Sequence, residues 1–513
     1  MNTLRAPIDP HRTSAPARSD VRPGTPRVLL LGSLVCAVLA GCAANQTYLR
    51  PAIDTADAFK EASADGKMWK AAQPRDHLPR GPWWELFGDP VLNDLAVQVS
   101  AGNQNLKLAY ARYAQSVALV QAARATYFPA VILSGGDTRA QAASPGSVRT
   151  SGPTSTDSIQ IAANNWELDL WGRISGGVDA GRAGAEAALA DVEASRLSLT
   201  AQLAQSYFSL RFLDEQIKLL KQTAVDYERA LELTQNRYKA GVVAKSDVTQ
   251  ALTQLKSTQA QAIDAGIARA QLEHAIAALI GKVPAQFSLP AVRAAATMPD
   301  IPLAAPSDLL ERRPDIAAAE RRTAAANAQI GVAKAALFPA LTLSASGGFR
   351  SSEWASLLTL PSRFWSIGPA LAFTLFDGGA KQSQIAQAQA VYDQNAATYR
   401  QTVLTAFQEV EDSLASIRIL GEEAVVQAEA VKAAEESLFH VLAQYRAGVA
   451  TYLNVITAQT AALSNSRAAL DVQSRRFGAS VNLVKALGGG FDVRYVQTPA
   501  APADAAATSS TRR

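Results

Sequence analysis

LLERRPDIAAAERRTAAANAQIGVAKAALFPALTLSASGG, residues 309–348, changes its period partway along. From Pro314 to Ala336 the pattern is helical. At Phe338-Pro339 it becomes an alternation of two: Leu341, Leu343, Ala345 and Phe349 are interleaved with Thr342, Ser344, Ser346 and Gly348. A 3.6 period buries one stripe of a helix, and a period of two buries one face of a strand. The junction has an earlier counterpart, since Phe338-Pro339-Ala340-Leu341 answers Phe128-Pro129-Ala130-Val131. A helix therefore runs into a strand twice in this chain.

Working outward, the whole chain repeats. The first copy predicts a helix from Pro90 to about Ala125, with Leu92, Leu95, Val99, Leu106 and Tyr110 at helical spacings. Strand candidates follow at Ala130–Arg139 and Ser158–Trp171, joined by a Ser/Gly/Pro/Thr-rich loop, Ala140–Asp157. In the second strand the phase slips at Asn164-Asn165, as a β-bulge makes it do. A proline-free helix then runs from about Gly176 to Tyr238, with a heptad-like seam through Leu199, Leu203, Tyr207, Leu210, Leu213, Ile217 and Leu220. Some 60 residues at 1.5 Å each is roughly 90 Å, far beyond the globular norm. It stops at Tyr238-Lys239-Ala240-Gly241-Val242, and a partner helix spans about Ser246 to Ile280.

The second copy has a loop, Arg350–Arg363, then a strand with Trp365, Ile367, Leu371, Phe373 and Leu375 on one face. Asp377-Gly378-Gly379 turns it into another long helix, with its seam at Tyr399, Val403, Phe407, Val410, Leu414 and Ile417. That helix stops at Tyr445-Arg446-Ala447-Gly448-Val449. The displacement that carries Tyr238 onto Tyr445 also carries Leu279-Ile280-Gly281 onto Ala486-Leu487-Gly488. The expected division is a leader (1–41), an N-terminal arm packed along the body (42–89), repeat 1 (90–284, β-hairpin 130–171), a Pro/Ala linker (285–306), repeat 2 (307–490, β-hairpin 340–377) and a disordered tail (491–513).

The leader is a basic segment followed by Val28–Ala40, too short to span a bilayer and suited to a signal-peptide core. It ends in Leu39-Ala40-Gly41-Cys42, a lipobox pattern that predicts cleavage before Cys42 and acylation of it; an ordinary signal peptide with an incidental cysteine is the alternative. Cys36 leaves with the leader, so Cys42 remains alone and no intrachain disulfide forms. Five of the 49 Lys and Arg, and two of the 45 Asp and Glu, lie in residues 1–41, which therefore hold most of the +4 excess. Nothing in the remainder calls for nucleic acid. No later stretch has 18 uninterrupted apolar residues, so no transmembrane helix is expected.

Strands of about ten residues, apolar on one face and small or polar on the other, carry the signature of a membrane barrel. Four strands are too few to enclose a lumen, and an open sheet edge is not tolerated in lipid. Several chains sharing one barrel satisfies both, and a hollow helical cylinder continuing it accounts for the length of the helices. A soluble four-stranded sheet on a coiled-coil rod is the competing reading.

Three motifs carry a family resemblance: Leu309-Leu310-Glu311-Arg312-Arg313-Pro314-Asp315-Ile316, Ala325–Pro339 (AANAQIGVAKAALFP), and Trp166-Glu167-Leu168-Asp169-Leu170-Trp171-Gly172-Arg173. The chain resembles the outer-membrane efflux channel (TolC-like) family from about residue 40 to 490, and within it the NodT-type lipoprotein branch, which Cys42 and Tyr48–Pro51 also fit. The resemblance implies a homotrimer with a twelve-stranded outer-membrane β-barrel, four strands per chain, continued by a long α-helical barrel across the periplasm. It implies the passive exit duct of a tripartite pump for small molecules, joined to a periplasmic adaptor and an inner-membrane transporter of RND type. No enzyme activity and no cofactor are expected beyond the lipid on Cys42. The two Ala-Gly-Val turns become periplasmic tips that meet the adaptor, with Tyr238, Gly241, Tyr445 and Gly448 as contact candidates. The gate lies just after the second tip. Leu453 matches an apolar constriction, while Thr457 and Thr460 stand where relatives often carry an acid and a base and Asn454 where some carry an acid, which implies a gate closed by apolar packing and neutral hydrogen bonds.

Other signals are set aside. His11, His77, His274 and His440 have no metal-ligand spacing, and Gly488-Gly489-Gly490 lacks the residues of a phosphate loop. Arg312-Arg313 and Arg321-Arg322 read as a solvated, hydrogen-bonded face. No nucleophile–base arrangement suggests a hydrolase. The exit channel of type I protein secretion and a lipid-anchored periplasmic scaffold remain the alternative functions.

Overall fold

The computed structural model describes residues 47–53, 60, 81–141, 152–292, 298–299 and 312–489. The leader, Cys42, Leu309–Glu311, more than half of the expected linker and the tail lie outside the described residues. The helices and strands, in chain order, are α1 (Pro90–Gly102), α2 (Gln104–Ala125), β1 (Val131–Ala140), β2 (Thr154–Glu167), α3 (Arg173–Lys239), α4 (Lys245–Leu279), α5 (Pro314–Ala335), β3 (Ala340–Ser351), β4 (Arg363–Ala372), α6 (Ala380–Arg446) and α7 (Tyr452–Ala486). The long helices α3 and α6 have 67 residues each, and α4 and α7 have 35 each. At 1.5 Å per residue α3 and α6 are about 100 Å long. Each forms an antiparallel hairpin with its shorter partner, and α3 also packs along α7, so the two hairpins lie side by side.

The strands form one antiparallel sheet in the order β1-β2-β3-β4, which leaves β1 and β4 as edges. Register puts Leu133 opposite Ile161, Ile159 opposite Phe349, Leu343 opposite Pro369 and Leu341 opposite Leu371, so one face is apolar across all four strands. That face is open, with Val131, Leu133, Trp365, Ile367 and Leu371 each more than 60% exposed. The opposite face carries mainly Ser, Thr, Ala and Gly. The expected bulge is present: pairing shifts between Ala163 and Trp166, and Asn165 sits at φ 52°. Its amide N–H donates to Ser344 Oγ at 2.9 Å, so the residue expelled from the ladder is still satisfied.

Several expected boundaries move. Strand β2 begins at Thr154 rather than Ser158, because Thr154–Asp157 pair with Asp137–Ala140 although the segment has no apolar alternation. It ends at Glu167, and Leu168–Trp171 form the corner into α3. Strand β4 ends at Ala372, leaving Phe373 and Leu375 exposed beyond it. The single helix expected over Pro90–Ala125 is two helices. Asn103 breaks it (φ −64°, ψ 126°), accepting from Leu106 N at 3.0 Å and donating Nδ2 to Leu279 O at 2.7 Å. Gly281, at φ +77°, packs on this break so closely that an added Cβ would lie 2.2 Å from the Gly102 carbonyl oxygen.

The second copy solves the same problem with a different residue. Arg313, just before α5, donates Nη1 to the Ala486 carbonyl at 3.2 Å, the repeat equivalent of Leu279. Its Nε and Nη2 bond Asp315 at 3.0 and 2.6 Å, and Nη1 also reaches Glu409 of α6 at 2.6 Å. Arg313 is buried, which corrects the expectation of a solvated face there. Arg321 and Arg322 instead cross to α3, pairing with Glu186 and Asp191.

The expected N-terminal arm is part core. Residues 47–53 lie along α5 and α6, with Arg50 over the Tyr399 ring and Ile53 against the Ile316–Tyr399 cluster. Trp83–Phe87, however, is a 3-10 turn whose Trp83 and Phe87 are buried at the centre of the main cluster. Phe87 and Phe477 each lie 4.9 Å from the Phe208 ring centroid, joining the turn to both repeats.

The strand-to-helix corners are capped by acids. Asp169 accepts from the N–H groups of Ile174 (2.9 Å) and Ser175 (2.7 Å) at the start of α3, and Asp377 does the same for Gly379 and Lys381 before α6. Burial pushes the Asp169 carboxyl up, but these N–H donors outweigh it and hold the group below its usual range. Asp169→Ala should lower stability by about 1 kcal/mol at neutral pH. A depressed folded pKa contributes above the unfolded value, about 4, and is lost as pH falls through the folded one. The melting difference between the variant and the parent protein should therefore shrink in acid; a difference unchanged from pH 7 to pH 3 would exclude a cap acting through its charge.

Candidate functional site

Both hairpins end in the same turn. The Val242 N–H bonds the Arg237 carbonyl and the Val449 N–H bonds the Gln444 carbonyl, each at 2.9 Å, while Gly241 (φ 74°) and Gly448 (φ 81°) take the left-handed position. This is the Schellman closure, which satisfies the last helical carbonyls. Val242 and Val449, the residues after each glycine, are 61% and 79% exposed.

The two tyrosines equivalent by repeat are not equivalent in space. Tyr238 is exposed. Tyr445 is buried: its ring lies edge-on to Tyr452 at 5.6 Å, its hydroxyl is 3.3 Å from Thr234 Oγ1, and the Arg237 guanidinium sits 4.6 Å over its face while bonding its carbonyl. Arg237 has Gln444 as its repeat equivalent, so only one side of each tip can make this contact. Tyr445 thus ties hairpin 1 to hairpin 2, whereas Tyr238, Gly241 and Gly448 face outward.

The four expected gate residues share a single exposed side of α7. Leu453, Thr457 and Thr460 follow one another at helical spacings, and Asn454 lies beside them. Thr457 Oγ1 donates to its own helix at Leu453 O (3.0 Å), and Asn454 Oδ1 accepts from Thr451 Oγ1 at 3.3 Å. Gln254 of α4 reaches both Thr460 Oγ1 and Tyr227 OH at 3.4 Å. The neighbouring bonds are thus neutral, as the residue types predict. The side chains below them, Tyr452 and Val455, are buried, and burial pushes the Tyr452 phenol up, keeping it neutral.

The two sides of the paired hairpins differ in chemistry. Where α3 and α6 flank α7, a groove of about 380 Å³ is lined by Leu219, Leu233, Leu438 and Leu442 together with Asp226, Arg229, Glu435 and Arg446, and includes Tyr445 and Tyr452. Where α4 and α7 flank α3, on the side of Thr460, a groove of about 660 Å³ is lined mainly by amides and hydroxyls, with Arg467 and Asp471 also in its wall. Sequence reasoning missed Arg237 and this second groove, because both depend on pairs more than 200 residues apart. The repeat alignment was the available signal for Arg237, since it shows the Arg/Gln mismatch beside each tip tyrosine.

No helix among the described residues is long and apolar enough to cross a membrane, and no group of three or more His, Cys, Asp or Glu among them could hold a metal ion. The chain matches the family described as outer membrane efflux protein over residues 95–282 and 305–489. It is 32% identical over 471 residues to outer membrane protein OprJ of Pseudomonas aeruginosa, covering 90% of this chain and 95% of that one. To the toluene efflux pump outer membrane protein TtgC of Pseudomonas putida it is 30% identical over 476 residues, covering 92% and 96%. Among solved structures, a membrane protein from Pseudomonas aeruginosa superposes with a TM-score of 0.80 at 31% identity, covering 88% of this chain and 98% of that one. The outer membrane protein VceC from Vibrio cholerae superposes with a TM-score of 0.75 at 28% identity, covering 81% and 100%. With nearly the full length of each relative spanned and both repeats matched, the chain belongs to the outer membrane efflux protein family.

Proposed function

We propose that the chain is the outer-membrane exit duct of a tripartite efflux pump, passively conducting small toxic molecules out of the cell as a homotrimer. The observation that carries this is a four-stranded sheet with one open apolar face and two free edges, set on helices about 100 Å long. In lipid the edges must be paired, and three copies close a twelve-stranded barrel without any free edge. The names of the relatives, which include efflux pumps for toluene, antibiotics and solvents, support small-molecule cargo. Acylation of Cys42 would hold the chain at the outer membrane beside the barrel.

The tips are where a periplasmic adaptor would dock, and the inner-membrane transporter, of RND type, supplies the energy. Exposed Tyr238, Val242 and Val449 around Gly241 and Gly448 give the tips an apolar end, which suits helix-to-helix contact. Tyr445 serves this contact indirectly, by holding the two tips together. Leu453 closes the lumen above them, with Asn454, Thr457 and Thr460 around it.

Native mass spectrometry of the detergent-extracted protein tests the shared barrel. Three chains per particle is the expected result. A stable monomer would sink the duct and favour the lipid-anchored scaffold.

A further inference from the structure

On α7 the gate is followed by a long neutral stretch: no Asp, Glu, Lys or Arg occurs from Tyr452 to Ser466. The first charge is Arg467. It lies two heptads beyond Leu453 and one beyond Thr460, so the three share a helix face, with Arg467 about 20 Å above Leu453 along the axis. Arg467 lines the polar α4–α7 groove together with Gln216, Gln254, Gln261, Thr460 and Ser464. A water-filled lumen requires polar walls, and the α4–α7 groove, on the helix face that carries Leu453 and Thr460, has them; the α3–α6 groove mixes leucines with Asp226, Arg229, Glu435 and Arg446.

The guanidinium is held by neutral partners. Nη1 donates to Gln261 Oε1 at 2.9 Å. With the Gln216 amide oxygen turned toward it, Nε and Nη2 donate to that oxygen at 3.2 and 3.1 Å. Among the described residues Arg467 has no ion pair. Asp471, at the upper end of the groove, is taken by Arg475 at 2.9 Å. Of the five N–H donors of an arginine, three are used to fix its plane and two remain, with the charge uncompensated. A planar fork oriented in advance, with free N–H groups, is the geometry that binds carboxylate and phosphate oxygens.

We propose that Arg467 is a specificity-determining residue of the duct: three copies line the lumen above the gate as a cationic collar that attracts and briefly holds oxyanion groups, carboxylate or phosphate, of passing cargo. This rests on the duct reading above. Because the nearest walls are amides and hydroxyls and Asp471 is paired with Arg475, removal of this one side chain removes most of the positive field there.

The test is the reversal potential of the full-length protein in planar bilayers under a potassium chloride gradient, repeated in potassium phosphate. Parent and Arg467→Gln proteins are compared, each also with Leu453→Ala so that a closed gate cannot hide the difference. The expected result is a fall of roughly threefold or more in the anion-to-cation permeability ratio on Arg467→Gln, with Arg467→Lys restoring the chloride preference but less of the phosphate preference. An unchanged ratio in Arg467→Gln, with current present and trimer mass intact, overturns the role of Arg467 and leaves the duct standing. No current in any background overturns the duct and the collar with it.

Discussion

Leu453→Ala is expected to raise the bilayer conductance of the protein several-fold and to sensitise cells carrying it to vancomycin, which the outer membrane otherwise excludes. In the proposed trimer three copies of Leu453 would face one another, and an apolar constriction of that kind closes by dewetting. Shortening each side chain to a methyl group widens the opening and removes the surface that repels water. The neighbouring bonds, from Thr457 to Leu453 O and from Thr451 to Asn454, are neutral and local to α7, so no ionic latch remains to hold the closed state. The effect should therefore be nearly independent of salt concentration, since screening weakens charge pairs and not apolar contact. Leu453 is 63% exposed in the single chain, so its truncation should leave folding stability within about 0.5 kcal/mol. Unchanged conductance together with unchanged vancomycin susceptibility would remove Leu453 from the gate.

Arg313→Ala should lower folding stability by about 3 kcal/mol, read from the denaturant midpoint in detergent. The guanidinium joins three elements at once: Asp315 at the start of α5, Glu409 on α6 and the final-turn carbonyl Ala486 of α7. Its side chain is 8% exposed, whereas Asp315 and Glu409 are 39% and 40% exposed. The two carboxylates can therefore rehydrate when the arginine is lost, which places the cost at the low end of that for a broken buried pair. The Ala486 carbonyl has no such relief. Arg313→Lys should recover little, because one ammonium cannot reproduce the fork that spans Asp315 and Glu409. A midpoint matching the parent protein would show that the apolar packing of α5 on α6 holds this junction alone.

Much of the architecture was legible because it is written in local periods. Leu341, Leu343 and Phe349 alternate, Tyr399 to Ile417 recur at three and four, and both patterns survive in the fold as β3 and α6. The slip at Asn164-Asn165 was visible for the same reason, since a bulge reverses the phase of every side chain after it. Features held by long-range contacts were not legible. Thr154–Asp157 looks like loop and is strand, because its partners Asp137–Ala140 supply a ladder that needs no apolar face. Arg313 looks like surface and is buried, because Glu409 and Ala486 come to it from two other helices.

The tips divide the two kinds of information. Tyr238-Lys239-Ala240-Gly241-Val242 and Tyr445-Arg446-Ala447-Gly448-Val449 determine by themselves where each hairpin turns, because a glycine at positive φ closes a helix through bonds only five residues apart. From the sequence the two tyrosines are interchangeable. The tertiary structure decides that Tyr445 is enclosed by Arg237 and Tyr452 while Tyr238 stays open, and that Arg467 faces a groove of neutral amides. Backbone conformation is set by neighbours along the chain, but the environment of a side chain is set by whichever helix packs against it, and the decisive partners here, Arg237 for Tyr445 and Gln261 for Arg467, lie more than 200 residues away.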